Sequence, residues 1–277
     1  MPKSITSATG RLSALAGAIC AFAIALLIGL ATADAAPVRI LGQTERTPRP
    51  SCPTPQGNNV PSYKHCSAYG QVTGFQRNAG GRRGLYKVPR NGHIVAWSVR
   101  LSRKPDKEAF DIFTRFGGTE RYGNGPTAGI SVIRKVKNKK RKYRLKRRSP
   151  IVQLRHYYGK EPIFTLEKPL KVRAGDIVAL TTPTWVSNFA TKARGANRPL
   201  SAQNVWVASR ARKNCSIPSN VPPAQRPKWF FDHTSPHMKV GTERGYGCAY
   251  SRARILYRAW FVPAGGGQGR VLGAPDG

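Results

Sequence analysis

Acidic side chains are scarce in this chain: Asp and Glu number 12 among 277 residues, against 47 Lys and Arg. The scarcity bears first on catalysis. A paired-carboxylate hydrolase would have to draw on a short list that includes Asp106, Glu108, Asp111, Glu120 and Asp232, and nothing in their spacing selects a pair. There is no Gly-x-Ser-x-Gly elbow, Walker loop, His-Glu-x-x-His or dinucleotide-binding glycine pattern. No Cys-x-x-Cys or Cys-x-x-His spacing offers a zinc site. Long helical patterns and fixed-period repeats are also missing, which argues against bundles and solenoids. We therefore expect no catalytic residues, no cofactor and no metal.

Cation excess is what the chain has instead. A leader is expected over residues 1–35: Lys3 and Arg11 precede an almost unbroken apolar run from Leu12 to Leu30, and Ala33-Asp34-Ala35 supplies a small-x-small cleavage pattern. The alternative is an uncleaved anchor, since such a run could just span a bilayer. Cleavage near Ala35 leaves 45 cations against 11 carboxylates, a net charge of +34. Domains of this size more usually carry single-figure charge. Such a surface attracts polyanions at long range: wall polymer, acidic polysaccharide, lipid headgroups or extracellular DNA. The cleaved chain keeps Cys52, Cys66, Cys215 and Cys248, an even set suited to an oxidising, secreted or envelope location. Four cysteines allow three connectivities. The most local, Cys52–Cys66 with Cys215–Cys248, closes loops of roughly 15 to 35 residues, each bridge contributing about 2–4 kcal/mol.

Four segments follow from the patterning. After the leader, residues 36–84 read as an irregular Pro/Gly-rich arm, because Pro48, Pro50, Pro53 and Pro55 oppose both helix and central strand. Residues 85–263 read as strands. Period-two alternation runs through 93–101, 110–116, 128–136 and 152–158. Leu170–Val172 and Ile177–Leu180 read as strands joined by the short turn Arg173–Asp176, and Val205–Val207 as another strand. Ala253–Phe261 reads as a strand with a basic outer edge, with an amphipathic helix as the alternative. Residues 186–200 fit either a short helix or a loop. Residues 264–277 form a Gly-rich flexible tail. The fold class expected is all-β: a two-sheet antiparallel β-sandwich, jelly-roll-like.

Three segments carry a resemblance: Val88–Ser98, Ala128–Arg134 and Pro169–Leu180. Their order resembles that of exported bacterial β-sandwich proteins, broadly jelly-roll-like, of unassigned activity. The resemblance covers about residues 85–210 and implies a fold class without implying catalytic residues. The basic stretch after Arg134 is not part of it. Read physically, Asn91-Gly92 and Gly175-Asp176 are turn formers before strands, and Trp97 is a core anchor.

Three features could carry function. The first is a run in which eleven of fifteen residues are cations: Arg134, Lys135, Lys137, Lys139, Lys140, Arg141, Lys142, Arg144, Lys146, Arg147 and Arg148. It lies between two expected strands and reads as a long hairpin with Asn138 near its tip. Its functional reading is an anion-binding finger; the alternative is a solvated surface hairpin. The second is an aromatic platform built from Trp185, Trp229 and Phe230, for which the alternative is a hydrophobic plug at one end of the sandwich. The third, Asp232 with His233 and His237, has a metal-ligand composition but no helix to align it, and His156 reads as a packed histidine. The function expected is a noncatalytic exported β-sandwich that associates with an anionic polymer through the basic hairpin. The alternative is a secreted carbohydrate-binding module or a polysaccharide-active enzyme of jelly-roll type, and a third reading is a basic protein that perturbs membranes.

Overall fold

The computed structural model describes residues 37–45, 47–50, 69–105, 107–116, 122–191 and 200–264. The apolar leader, the Cys52–Cys66 loop and the tail from 265 onward lie outside the described residues. In chain order the first elements are β1 (Arg39–Leu41), β2 (Tyr69–Ala79), β3 (Arg82–Arg83), β4 (Gly92–Val99) and helix α1 (Lys107–Phe116). Then come β5 (Thr127–Lys135), β6 (Lys142–Arg148), β7 (Val152–Gln153), β8 (Ile163–Val172), β9 (Ile177–Val186) and β10 (Phe189–Ala190). The last are β11 (Val205–Ala208), helix α2 (Arg226–Asp232), β12 (Glu243–Gly245), β13 (Cys248–Ser251), β14 (Arg254–Ile255) and β15 (Tyr257–Pro263).

Their pairing is antiparallel, and the fold is an all-β sandwich. Of the two main sheets, the smaller has the order β1-β15-β4-β8 and the larger runs β12-β6-β5-β9-β2-β11-β13, while β10 and β14 pair separately. The core between them takes Ile94, Trp97, Val99, Val172, Tyr257 and Phe261 from one sheet and Ile130, Val132, Val178 and Leu180 from the other. Hydrogen bonds reinforce this apolar contact. Tyr257 Oη donates to the Val178 carbonyl at 2.8 Å, and Tyr86 Oη donates to the Tyr257 carbonyl at 2.6 Å, with the two rings stacked at 4.1 Å. A phenol buried this way keeps its hydroxyl satisfied while contributing its whole ring to the core.

Where alternation is simple, sequence and structure agree. β15 buries every second residue from Tyr257 to Pro263, which settles strand over helix. β5 and β9 fall where the alternation and the Arg173–Asp176 turn put them. That turn, however, carries the chain from the smaller sheet to the larger rather than closing a hairpin: β8 pairs with β4, and β9 with β5 and β2. Strict alternation over 93–101 would put His93 on one face with Val95, Trp97, Val99 and Leu101, but in β4 a bulge between Ile94 and Ala96 breaks it. The extra residue switches the alternation, so Ile94 joins Trp97 and Val99 in the core and His93 is exposed.

Four further expectations are corrected. Residues 107–116 form a helix: Ala109, Phe110, Phe113 and Phe116 recur at three- and four-residue spacing and pack on Trp185, an arrangement that also fits the alternation read as a strand. Residues 152–158 hold only the two-residue β7, followed by a 3-10 turn over Arg155–Tyr157, and His156 is exposed rather than packed. Part of the expected irregular arm is β2, which lies in the interior of the larger sheet between β9 and β11. Its apolar signal is weak because polar groups satisfy one another there. Thr73 Oγ1 lies 2.9 Å from Thr181 Oγ1, which lies 2.6 Å from Ser131 Oγ, and Gln76 Oε1 accepts from the Ile255 amide at 2.8 Å. Finally, Arg254 is not on a basic outer edge. It is buried, and desolvation lowers its pKa.

Gly92 has a role the sequence did not reveal. It is already inside β4, and a Cβ there would stand 2.2 Å from the Val262 carbonyl oxygen and 2.9 Å from Pro263 Cα. Both obstacles are backbone. We expect Gly92→Ala to destabilise the fold by about 1–3 kcal/mol through overpacking, measured by denaturant unfolding. Gly245→Ala, where a Cβ meets nothing within 4 Å, should leave stability nearly unchanged. Equal effects would contradict the close approach.

Candidate functional site

The basic run is a hairpin rooted in the protein. Strands β5 and β6 pair Ile133 with Leu145, Arg134 with Arg144 and Lys135 with Tyr143. Ile133 and Leu145 are fully buried on the outer face of the larger sheet, in a cluster with Phe75, Ala179, Val207 and Tyr246. Beyond them the hairpin closes with Val136 N–H donating to the Lys142 carbonyl at 2.9 Å. Asn138 and Arg141 adopt left-handed backbone angles in the turn, φ 59° and 52°, and Asn tolerates that region better than most side chains. Tyr143 and Leu145 thus lie within β6, and Val136 directly follows β5.

Repulsion within the hairpin is met at its base by two carboxylates. Arg134 and Arg144 stand directly opposite each other, an arrangement that is unfavourable for like charges. Asp176, at the start of β9, takes Arg134 in a bidentate pair, with Nε at 2.6 Å and Nη2 at 2.9 Å. The Asp176 side chain is 1% exposed and also accepts the Arg173 amide at 2.9 Å. On the other side, Glu243 of β12 accepts from Arg144 Nη2 at 2.6 Å, with Lys142 at 3.6 Å and Lys139 at 3.8 Å. The Arg144 hydrogen bond holds the Glu243 carboxyl below the usual range. One row from β12 through β6 and β5 to the turn before β9 therefore reads carboxylate, guanidinium, guanidinium, carboxylate.

This divides the eleven candidate residues. Arg134 is paired with buried Asp176. Arg144, Lys142 and Lys139 share one carboxylate. Arg141 donates from Nη1 to the Gly247 carbonyl at 3.1 Å. Lys135, Lys137, Lys140, Lys146, Arg147 and Arg148 have no carboxylate within 4.0 Å among the described residues, and all but half-buried Lys146 are exposed. Arg134, Lys135, Val136, Lys137, Arg144 and Lys146 line an open cleft of about 260 Å³ on the hairpin.

The aromatic candidates are elsewhere and do not form a surface platform together. Trp185 has zero exposure beneath α1, with the Phe113 ring 4.8 Å away. Trp229 is half-buried and stacked on His233 at 4.2 Å; Phe230 is half-buried beneath the Arg210 guanidinium at 4.2 Å. Helices α1 and α2 close over Trp185, which is the plug arrangement. The Cys215–Cys248 disulfide is formed, fastening the segment before α2 to β13. Asp232 pairs with Lys228 at 2.6 Å. His233 is exposed and His237 buried, and among the described residues no group of three or more His, Cys, Asp or Glu is placed to hold a metal ion. No helix of the described residues is long and apolar enough to cross a membrane.

Asp176 and Glu243 are the residues that sequence reasoning missed. Asp176 read as a turn former, a role it also has, and Glu243 gave no signal because 99 residues separate it from Arg144. No protein-family model matches the chain, and no curated protein or solved structure is significantly similar to it.

Two predictions follow from this geometry. Asp176→Asn removes the charge that answers Arg134 in a buried setting, and should cost about 3 kcal/mol in denaturant unfolding. An effect confined to a few tenths would mean the pair is incidental. The second concerns His237, which is buried beneath β12 with Nε2 3.0 Å from Thr242 Oγ1 and Nδ1 3.4 Å from Tyr246 Oη. Burial, together with the Arg244 charge, lowers its pKa from 6.5 to about 4. The unfolded chain then binds the proton first, so stability is present above about pH 6.5 and declines as pH falls toward 4. Thermal melting across that window should show the decline in the native chain and a shallower one in His237→Gln. Parallel curves would contradict the assignment.

Proposed function

We propose that the protein is a noncatalytic, exported β-sandwich that associates with an anionic polymer through the β5–β6 hairpin. The observation that carries this reading is the division of the hairpin. Its base is fixed by buried Ile133 and Leu145 and by Asp176, while six of its cations, Lys135, Lys137, Lys140, Lys146, Arg147 and Arg148, have no carboxylate partner among the described residues. A charged segment held in shape loses less entropy on binding than a flexible tail. Lys and Arg in this setting supply charge and oxyanion hydrogen bonds rather than sequence readout. The disulfide is compatible with an oxidising exterior.

The candidate ligand classes are wall polymer, acidic polysaccharide, anionic lipid and extracellular DNA. The alternative of a carbohydrate module built on a tryptophan platform loses support from the burial of Trp185. Carboxylates are also engaged with cations: Asp111 with Lys107, Glu161 with Arg100 and Arg258, Asp176 with Arg134, Asp232 with Lys228, and Glu243 with Arg144.

Retention on immobilised heparin over a salt gradient tests the proposal. The native chain should elute at high salt. Replacing Lys135, Lys137, Lys140, Lys146, Arg147 and Arg148 with Gln should move elution to markedly lower salt while thermal melting stays close to native. Unchanged elution would mean that diffuse charge, not the hairpin, does the binding.

A further inference from the structure

A separate depression, of about 460 Å³, lies between the β2–β3 hairpin and β6. Its floor and walls take Phe75, Ile177 and Tyr143, and its rim takes Arg77, Arg83 and Lys87. These three cations are exposed and have no carboxylate within 4.0 Å among the described residues; the neighbouring Arg82 is the one that pairs with Glu45, at 2.9 Å. Arg77 and Arg141 both act on the Tyr143 hydroxyl, lowering a pKa that burial raises. Asn78 is also in the lining, and its Oδ1 is buried with no hydrogen-bond partner among the described residues.

We propose that this depression binds an acidic sugar unit, a carboxylated ring carrying free hydroxyls, of an anionic polysaccharide. The chemistry of the lining selects that class. Unanswered cations at the rim call for an anion, and a concave site with apolar walls strengthens the attraction. The depression falls within the roughly 300–1,000 Å³ typical of small-ligand sites, far more room than an inorganic oxyanion fills. The apolar floor suits the C–H face of a ring. Nucleic acid fits less well, because base stacking needs an open ring face. Phe75 and Tyr86 are 5% and 2% exposed, and Tyr143 meets Phe75 and Tyr246 edge-on at 5.6 and 4.9 Å. The inference deepens the polyanion reading and rests on it only in taking the ligand to be a polymer. It adds a site that recognises the monomer beside a hairpin that recognises charge.

Calorimetric titration with tetragalacturonate tests it, with cellotetraose as the uncharged control and an oligothymidylate of four phosphates as the charge-matched control. The native chain should bind tetragalacturonate more tightly than either control. The triple variant Arg77→Gln, Arg83→Gln, Lys87→Gln should lose about tenfold or more, roughly 1.4 kcal/mol, and keep its retention on heparin. The variant Lys137→Gln, Lys140→Gln, Lys146→Gln should keep its tetragalacturonate affinity and lose retention. Tetragalacturonate affinity that survives the triple variant, or that the thymidylate equals, overturns the site. Failure of the native chain to be retained on heparin would instead overturn the hairpin reading and leave the tetragalacturonate result to stand alone.

Discussion

The ion pair between Arg134 and Asp176 is the contact on which the rest of the arrangement depends. Asp176 ends the turn that carries the chain from the smaller sheet to the larger, and its backbone carbonyl accepts the Val88 amide at 2.8 Å. Its carboxylate is nearly sealed from solvent. Burying a lone carboxylate is costly, and a guanidinium offers two parallel donors that meet both oxygens. Arg134 is thereby fixed at the root of the basic hairpin, and Arg144 opposite it is left to Glu243. Two of the few carboxylates in the chain are placed beside the facing pair Arg134 and Arg144. The hairpin beyond them can then stay cationic without destabilising the sheet that bears it.

This arrangement explains how a chain with so large a charge excess keeps an ordered surface. The apolar side of the hairpin root, Ile133 and Leu145, packs into a cluster on the outer face of the larger sheet. The sheet is thus covered on both faces, by the sandwich core on one side and by this second cluster on the other. His237 and Tyr246 lie under the same cover, which is why the histidine is held neutral. Binding surface and stability are coupled through one strand pair.

Much of the sandwich was legible in the sequence, and the exceptions have identifiable causes. β15 alternates cleanly because one of its faces lies against the core, whereas β5 and β9 are buried almost throughout and were marked by their apolar residues and the Arg173–Asp176 turn. β2 was not marked in this way, because Thr73, Gln76 and their partners bury polar groups that satisfy one another across strands, and composition does not reveal that pairing. Residues 110–116 alternate and also recur at helical spacing, and only their packing on Trp185 decides. The hairpin was visible as a charge run with a turn at Asn138. Its anchors were not, because Asp176 and Glu243 are brought to it by strand register rather than by proximity in the chain. The rim of Arg77, Arg83 and Lys87 was invisible for the same reason: it joins one sheet strand, a short hairpin arm and a loop.

The central claim is that charge recognition is concentrated on one rooted hairpin. Backbone amide chemical-shift mapping during titration with a heparin oligosaccharide tests this most directly. The account predicts that the earliest and largest shifts fall on residues 135–148, with the buried root at Ile133 and the Arg173–Asp176 turn almost unmoved. Shifts of equal size spread over the basic surface, or centred on α2 and the Cys215–Cys248 segment, would contradict it.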